Sequence, residues 1–407
     1  MNFIVLKFGG TSLIDDEMRK RVAAKVLKVR EEGYSPVVVV SAIGRKGDPY
    51  ATDTLLSLAG INGIEFLPRE SDLLMSCGEI IAGVVMTATI QKNGCPAVFI
   101  TGAQAGIITN SDYNNARILK VNPEYIIKLA QEGKVVIVAG FQGVTEEGEI
   151  TTLGRGGSDT TAAALGAALN AERVDIYTDV DGIMTADPRI VSDARLLKVI
   201  TYNEICQLAR EGARVIHPRA VEIAMQKNIP LRIMCTFSDA PGTLVTSCGE
   251  AHKGAIDITG DRTITGITHI HDIARIRVNT DLGADTPDFQ NKIFAALAHA
   301  LISVDFINVS PEAVLFTVNS AFVAKTVRII ENLGVCPEVL PDCAKVAAVG
   351  AAMTGVPGVM ANIVEALARE NIQILQSADS YTTIWVLVKK EDMEKSIRAL
   401  HCQFGPA

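Results

Sequence analysis

The chain has 407 residues, 48% of them hydrophobic and 21% charged, with a formal net charge of −8. This is the composition of a globular protein large enough for two or three domains. The acidic balance argues against a nucleic-acid surface or an anionic membrane surface, so neither partner is expected. Eight scattered cysteines form no C-x-x-C pair, and the six histidines show no zinc-ligand spacing near them. No protein-held metal is expected, and free thiols in a cytoplasmic protein are. Lys7 interrupts the apolar start, against a signal peptide. The uncharged run between Lys345 and Glu365 is broken by Gly350, Gly355, Pro357, Gly358 and Asn362, against a membrane span.

In chain order, β-rich runs stand at Phe3–Lys7, Val37–Ser41, Ala97–Ile100, Val135–Ala139, Asp175–Thr178, Leu231–Cys235 and Thr243–Thr246. Helical patterns lie between them at Glu17–Glu32, Asp72–Lys92, Asn114–Leu119, Pro123–Gln131, Thr160–Asn170, Tyr202–Glu211 and Pro218–Lys227. Strands as apolar as Val37-Val38-Val39-Val40 suit a sheet covered on both faces. The alternation predicts an α/β fold, a three-layer αβα sandwich with a largely parallel sheet and ligands at the carboxyl ends of its strands. The second half repeats itself. A shift of about 70 residues carries Ala296-Leu297-Ala298 onto Ala366-Leu367-Ala368 and Val314–Val318 onto Ile384–Val388. Two small βαββα modules are expected, at 264–337 and 338–407, after a large domain at 1–246 and a polar junction at 247–263.

Several stretches carry chemistry. Lys7-Phe8-Gly9-Gly10-Thr11-Ser12 ends the first strand; glycines there leave N–H groups free to hold phosphate, and Lys7 is either a charge neutraliser or a surface lysine before a turn. Ser41 closes the second strand, and Thr52 follows in a loop. Glu79, before a long apolar run, is either a buried, partnered carboxylate or a contact for a substrate ammonium. In Thr151–Thr161 three glycines flank Arg155, and Ser158 and Asp159 open a small-residue helix. Gly156 and Gly157 permit close backbone approach, and an arginine fork suits a carboxylate or phosphate. Thr178-Asp179 ends another strand, followed by Met184-Thr185-Ala186-Asp187-Pro188-Arg189, where polar groups suit a nucleotide. His217, before Pro218, is structural or nucleotide-adjacent.

Together, Lys7–Ser12, Leu153–Thr161 and Asp179–Arg189, with Asn115-Ala116-Arg117-Ile118 and Pro218-Arg219-Ala220, resemble the aspartate kinases of the amino-acid kinase superfamily. The paired modules resemble ACT domains, which makes them ferredoxin-like. Gly44–Asp53 and Ser303–Asn308 look closest to the diaminopimelate-sensitive aspartokinase I type of Bacillus-like bacteria. The resemblance implies phosphoryl transfer from ATP, with Mg²⁺, to the side-chain carboxylate of L-aspartate. It gives Lys7, Arg155 and Asp159 catalytic roles, and the acceptor to Ser41, Thr52, Glu79, Arg155, Gly156, Gly157 and Ser158. The nucleotide falls to Lys7, Gly9, Gly10, Thr178, Asp179, Met184, Thr185, Ala186, Asp187, Pro188 and Arg189. It further implies an amino-acid effector (meso-diaminopimelate, lysine or threonine) near Asp305, Asn308 and Ser310, and a homo-oligomer built through the modules. A glutamate or acetylglutamate kinase, and an inactive ACT-containing sensor, are the rival expectations.

Overall fold

The computed structural model describes residues 1–59, 67–213, 215–247, 264–280, 286–350, 353 and 356–406. Its first strand, β1 (Phe3–Phe8), is followed by α1 (Asp16–Glu31), β2 (Ser35–Val40), α2 (Thr52–Ala59), α3 (Pro68–Lys92) and β3 (Ala97–Ile100). A set of short strands comes next: β4 (Ile107–Thr109), β5 (Ile118–Val121), then α4 (Glu124–Gln131), β6 (Val135–Ala139), β7 (Gln142–Val144) and β8 (Ile150–Thr152). After α5 (Gly157–Ala168) run β9 (Arg173–Thr178), β10 (Val199–Thr201), α6 (Tyr202–Arg210), α7 (Pro218–Gln226), β11 (Leu231–Cys235) and β12 (Thr243–Thr246).

The apolar strands pair as their composition requires. An eight-stranded sheet has the order β10-β12-β11-β9-β1-β2-β6-β3, parallel except between β11 and β12. Ile4, Leu6 and Phe8 of β1 join Val38 and Val40 in a buried cluster with Val22 and Val26 of α1 and Ala82, Met86 and Ile90 of α3. By the two-residue period of a strand, Lys7 points to the other face, where α5 begins. Strands β5-β4-β7-β8 form a separate small sheet. The sequence gives no sign of it, because its members are only three or four residues long. Pro68 opens α3 at its first turn, ahead of the expected start at Asp72. Asn114–Leu119, expected to be helical, is a turn running into β5: Asn114 has φ +66°, and Ala116 donates to Thr152 O at 2.9 Å. Among the described helices, α3 alone is long and apolar enough to cross a membrane. It carries buried Asp72, Ser76 and Glu79, as a core helix lining a polar cavity would.

The chain divides into two units. The first holds Met1–Ile183, Leu196–Arg210 and the described part of Arg214–Thr259; the second holds Met184–Arg195, Glu211–Ala213 and the described part of Gly260–Ala407. The expected junction, 247–263, lies almost wholly outside the described residues.

The second unit contains β13 (Gly266–Asn279), α8 (Thr286–His299), β14 (Asp305–Val309), β15 (Ala313–Asn319) and α9 (Val323–Glu331). The same order returns in β16 (Glu338–Val349), α10 (Val359–Arg369), β17 (Gln376–Asp379), β18 (Thr383–Lys389) and α11 (Met393–Phe404). The two sets share one antiparallel sheet, β14-β15-β13-β16-β18-β17, joined where β13 pairs with β16. Val346, Ala348, Val386 and Val388 pack against Ile363, Leu367, Ile397 and Leu400 of α10 and α11. Ala186 and Val191 are buried in that same cluster.

Candidate active site

Three strand ends and one helix start meet in the first unit around an open cavity of about 630 Å³. Lys7 reaches it from β1, Ser41 and Ala42 from the end of β2, Phe141 from beyond β6, and Gly157, Ser158 and Asp159 from the first turn of α5. Gly10 is required where the β1 and β2 loops touch: a Cβ there would lie 2.4 Å from Ala42 O and 2.6 Å from Gly44 O. Lys7 Nζ stands 2.7 Å from Asp159 Oδ1, each side chain 12% exposed. The contact is ionic and off the hydrogen-bonding direction, leaving that oxygen without a hydrogen bond. The lysine is thus held at the mouth of a glycine loop and a helix N-terminus, both of which favour anions.

Two further charged groups face the same cavity with unused capacity. Arg155 is exposed on the loop between β8 and α5, with no ion pair or hydrogen bond among the described residues. Glu79, on α3, is 2% exposed. Its Oε1 accepts from Ala42 N–H at 3.0 Å, and its Oε2 is buried without a hydrogen-bond partner. Burial lifts its pKa to about 8, against a smaller opposing pull from the Ala42 N–H. A buried carboxylate oxygen without a partner, on a residue that lines the cavity, is a receptor for a cation or a hydrogen-bond donor.

The loop between β8 and α5 is anchored from both sides. Gly156 is left-handed at φ +67°, and a Cβ there would lie 2.2 Å from His217 Cβ, so the close approach of His217 demands glycine. His217 caps α7, accepting at Nδ1 from Arg219 N–H at 3.3 Å; burial holds its pKa below the usual imidazole range. Arg219 donates to Leu153 O (3.0 Å) and Ala116 O (3.4 Å) and to Asn115 Oδ1 (3.1 Å). Two motifs distant in sequence, Asn115–Ile118 and Pro218–Ala220, are thereby brought together as supports for the Arg155 loop.

Of the residues singled out from sequence, Lys7, Gly10, Ser41, Thr52, Glu79, Arg155, Gly156, Gly157, Ser158 and Asp159 line one cavity. Gly9 precedes the short turn Gly10–Leu13. Thr178 and Asp179 stand at the end of β9; Asp179 accepts from Thr178 Oγ1 and pairs with Arg45 at 2.5 Å. Met184–Arg189 lies in the second unit. There Thr185 is fully buried, bonded to His401 Nε2 at 2.9 Å and to Arg195 N–H, and Ala186 is buried in the helix-covered core. Asp187 pairs with the exposed Arg189 at 2.7 Å. The ends of a short apolar–polar run cannot reveal which partner claims its middle, so sequence alone could not anticipate this enclosure.

Asp305 of β14 is paired with Lys345 at 2.5 Å; Lys345 also meets Glu211 at 2.8 Å. Asn308 is exposed on β14, and Ser310 Oγ is engaged with Ala313. Sequence reasoning missed Asp72, Asn114 and Arg45. Asp72 was hidden at an apparent helix start, and Asn114 inside an apparent helix.

Residues 2–235 match the amino acid kinase family, and residues 338–402 an ACT domain. Aspartokinase 1 of Bacillus subtilis (strain 168) is 51% identical to the chain over 401 residues, covering 98% of each. The chain belongs to the aspartate kinases of the amino-acid kinase family. Other aspartate kinases share its fold. The crystal structure of Escherichia coli aspartokinase III in complex with aspartate and ADP, in the R state, superposes with a TM-score of 0.76 at 26% identity, over 99% of both chains. The same enzyme in complex with lysine and aspartate, in the T state, gives a TM-score of 0.76 at 25% identity, again over 99% of both.

Proposed function

We propose that this aspartate kinase transfers the γ-phosphoryl group of ATP to the side-chain carboxylate of L-aspartate, giving 4-phospho-L-aspartate and ADP. The observation that carries the proposal is the pairing, in one cavity, of a buried carboxylate oxygen (Glu79) and an exposed arginine (Arg155), neither with a hydrogen-bonding or ionic partner for that group among the described residues. Together they form a receptor for a small zwitterion: Glu79 for its ammonium, Arg155 for a carboxylate, with Ser41, Thr52 and Ser158 completing the wall. Lys7, kept in place by Asp159, neutralises charge on the phosphoryl group in flight. The α5 N-terminus and Gly9–Gly10 offer backbone N–H groups to the phosphates, with Thr178 and Asp179 beyond them.

An aspartate side chain is already a carboxylate at neutral pH, so the attacking oxygen needs no base. One P–O bond forms to it as the bond to the β-phosphate breaks. Among the described residues no three His, Cys, Asp or Glu side chains cluster as a metal site. A Mg²⁺ accompanying the ATP would supply charge neutralisation at the phosphates.

We assign catalysis to the domain within 1–246 and effector binding to the modules at 264–337 and 338–407. The exposed edge strand β14 carries Asp305 and Asn308 and leaves Ile307 and Val309 each 50% exposed. This supports an effector site in the first module and association of copies through the modules. By resemblance the effector is meso-diaminopimelate; the lysine complex of the E. coli relative supports an amino-acid effector in general. The described cysteines are all free, as in the cytoplasm, where we place the enzyme at the head of lysine, diaminopimelate, threonine and methionine synthesis.

ATP- and Mg²⁺-dependent formation of aspartyl hydroxamate, compared with L-glutamate and with each effector added, tests this directly. Activity on aspartate alone is expected, suppressed by meso-diaminopimelate. Glutamate activity would mean the acceptor is wrong; lysine acting alone would displace the effector. Arg155→Ala is expected to raise KM for aspartate by roughly tenfold or more, with KM for ATP within about twofold. Equal changes in both constants would take Arg155 out of the acceptor site.

A further inference from the structure

Asp72 is completely buried near the start of α3, and everything it binds is distant in sequence. Its Oδ1 accepts from Thr152 Oγ1 at 2.6 Å and Asn114 N–H at 3.0 Å; its Oδ2 accepts from Thr152 N–H at 2.8 Å and shares the Asn114 N–H at 3.1 Å. None of these partners is a cation. Burial pushes the Asp72 pKa up, and the bonds from Thr152 and Asn114 pull it back only in part. A carboxylate in such a place is costly, and the apolar core around α3 has no need of one. What it provides is a set of acceptors with no competing donor, which neither asparagine nor threonine can supply.

The groups it holds are the roots of two cavity-lining segments. Asn114 lines the cavity in a left-handed conformation, which asparagine adopts more readily than most side-chain-bearing residues, and its N–H is held by Asp72. Thr152 ends β8, three residues before Arg155, and its carbonyl in turn accepts from Ala116 N–H. Gly154, at φ +72°, brings the two segments together: a Cβ there would lie 3.0 Å from Asn114 O. Glu79 follows Asp72 by two helical turns, so the same face of α3 carries both carboxylates.

We infer that Asp72 is a positioning residue for the acceptor: by fixing Asn114 and Thr152 to α3 it sets the span between Arg155 and Glu79, and hence the length of zwitterion the cavity accepts. This rests on the cavity being the aspartate site.

The test is steady-state kinetics of the full-length protein with both substrates varied, for wild type, Asp72→Asn and Thr152→Val, each with its melting temperature. Asp72→Asn turns an N–H₂ towards donors; it is expected to raise KM for aspartate by roughly tenfold or more while KM for ATP stays within about twofold. Thr152→Val removes a single donor and is expected to give the same split, a few-fold in size. A merely structural role would lower the active fraction, and so kcat, with both KM values unchanged. That pattern, parallel change in both KM values, or aspartate KM within about twofold of wild type in the folded variants, overturns the inference. If Asp72→Asn does not fold, Thr152→Val decides alone. A wild type inactive on aspartate fails the functional proposal itself and takes this inference with it; an active wild type with unshifted variants fails this inference alone.

Discussion

Lys7→Ala is expected to lower kcat by about a hundredfold to ten-thousandfold, the scale on which one preorganised charge at a developing phosphoryl transition state acts. The lysine is suited to this by where β1 ends. A parallel central strand delivers its last side chains to the carboxyl edge of the sheet, and the strand's period turns Lys7 towards α5 while Leu6 and Phe8 go into the core. The Asp159 contact restrains the ammonium without consuming it, since the carboxylate oxygen at 2.7 Å lies off the hydrogen-bonding direction and leaves the N–H groups open.

Removing Lys7 also strands a largely buried carboxylate, at a cost of about a few kcal/mol in stability softened by the α5 N-terminus. Asp159 would then repel incoming phosphates. Two effects are therefore mixed in the single variant, and Lys7→Ala/Asp159→Asn separates them: KM for ATP should return towards wild type while kcat stays low. Near-normal turnover in folded Lys7→Ala would remove the lysine from the chemistry.

The broad architecture was legible because it rests on long, repeated signals. Val37–Val40 and Val135–Ala139 are apolar throughout, and such strands have few homes other than the centre of a parallel sheet. The 70-residue shift carries β15 (Ala313–Asn319) onto β18 (Thr383–Lys389) end to end, since each module repeats the same burial pattern. Glycines at strand ends pointed to the cavity for a local steric reason, as Gly10 and Gly156 show.

What sequence could not disclose depends on distant partners. Asn114–Leu119 has local helical character, but Asp72 and Thr152 capture its N–H groups and turn it instead. Thr185 and Ala186 have their side chains enclosed by His401 and the helix-covered core of the second unit, an enclosure set by residues some two hundred positions away. Asp305, expected near an effector, also forms an ion pair with Lys345, forty residues on, which the sequence pattern does not announce. Each case is a long-range polar or packing contact, and periodicity carries no information about those.

Glu79→Gln is expected to separate binding from stability. Glutamine keeps the shape and an oxygen for the Ala42 N–H but offers no charge to an ammonium, so KM for aspartate should rise by roughly a hundredfold. The folded protein should gain stability at alkaline pH. In the native state the Glu79 carboxyl titrates at about 8, far above its value of 4.5 when unburied. Between those values the unfolded chain has released a proton that the folded protein keeps, so stability falls as pH rises through this window and levels off above about 8. The full term, on the order of a few kcal/mol, is present only below the lower value. Glutamine has no such slope: melting curves of the two proteins should coincide near about pH 5 and separate towards about pH 9, the variant melting higher. Aspartate reverses this for wild type, because a bound ammonium stabilises the ionised form; its KM should fall as pH rises from about 6 to 8, and that trend should vanish in the variant. Parallel melting curves across the whole range would show that Glu79 is ionised in the empty site, with a cation or donor already at its Oε2.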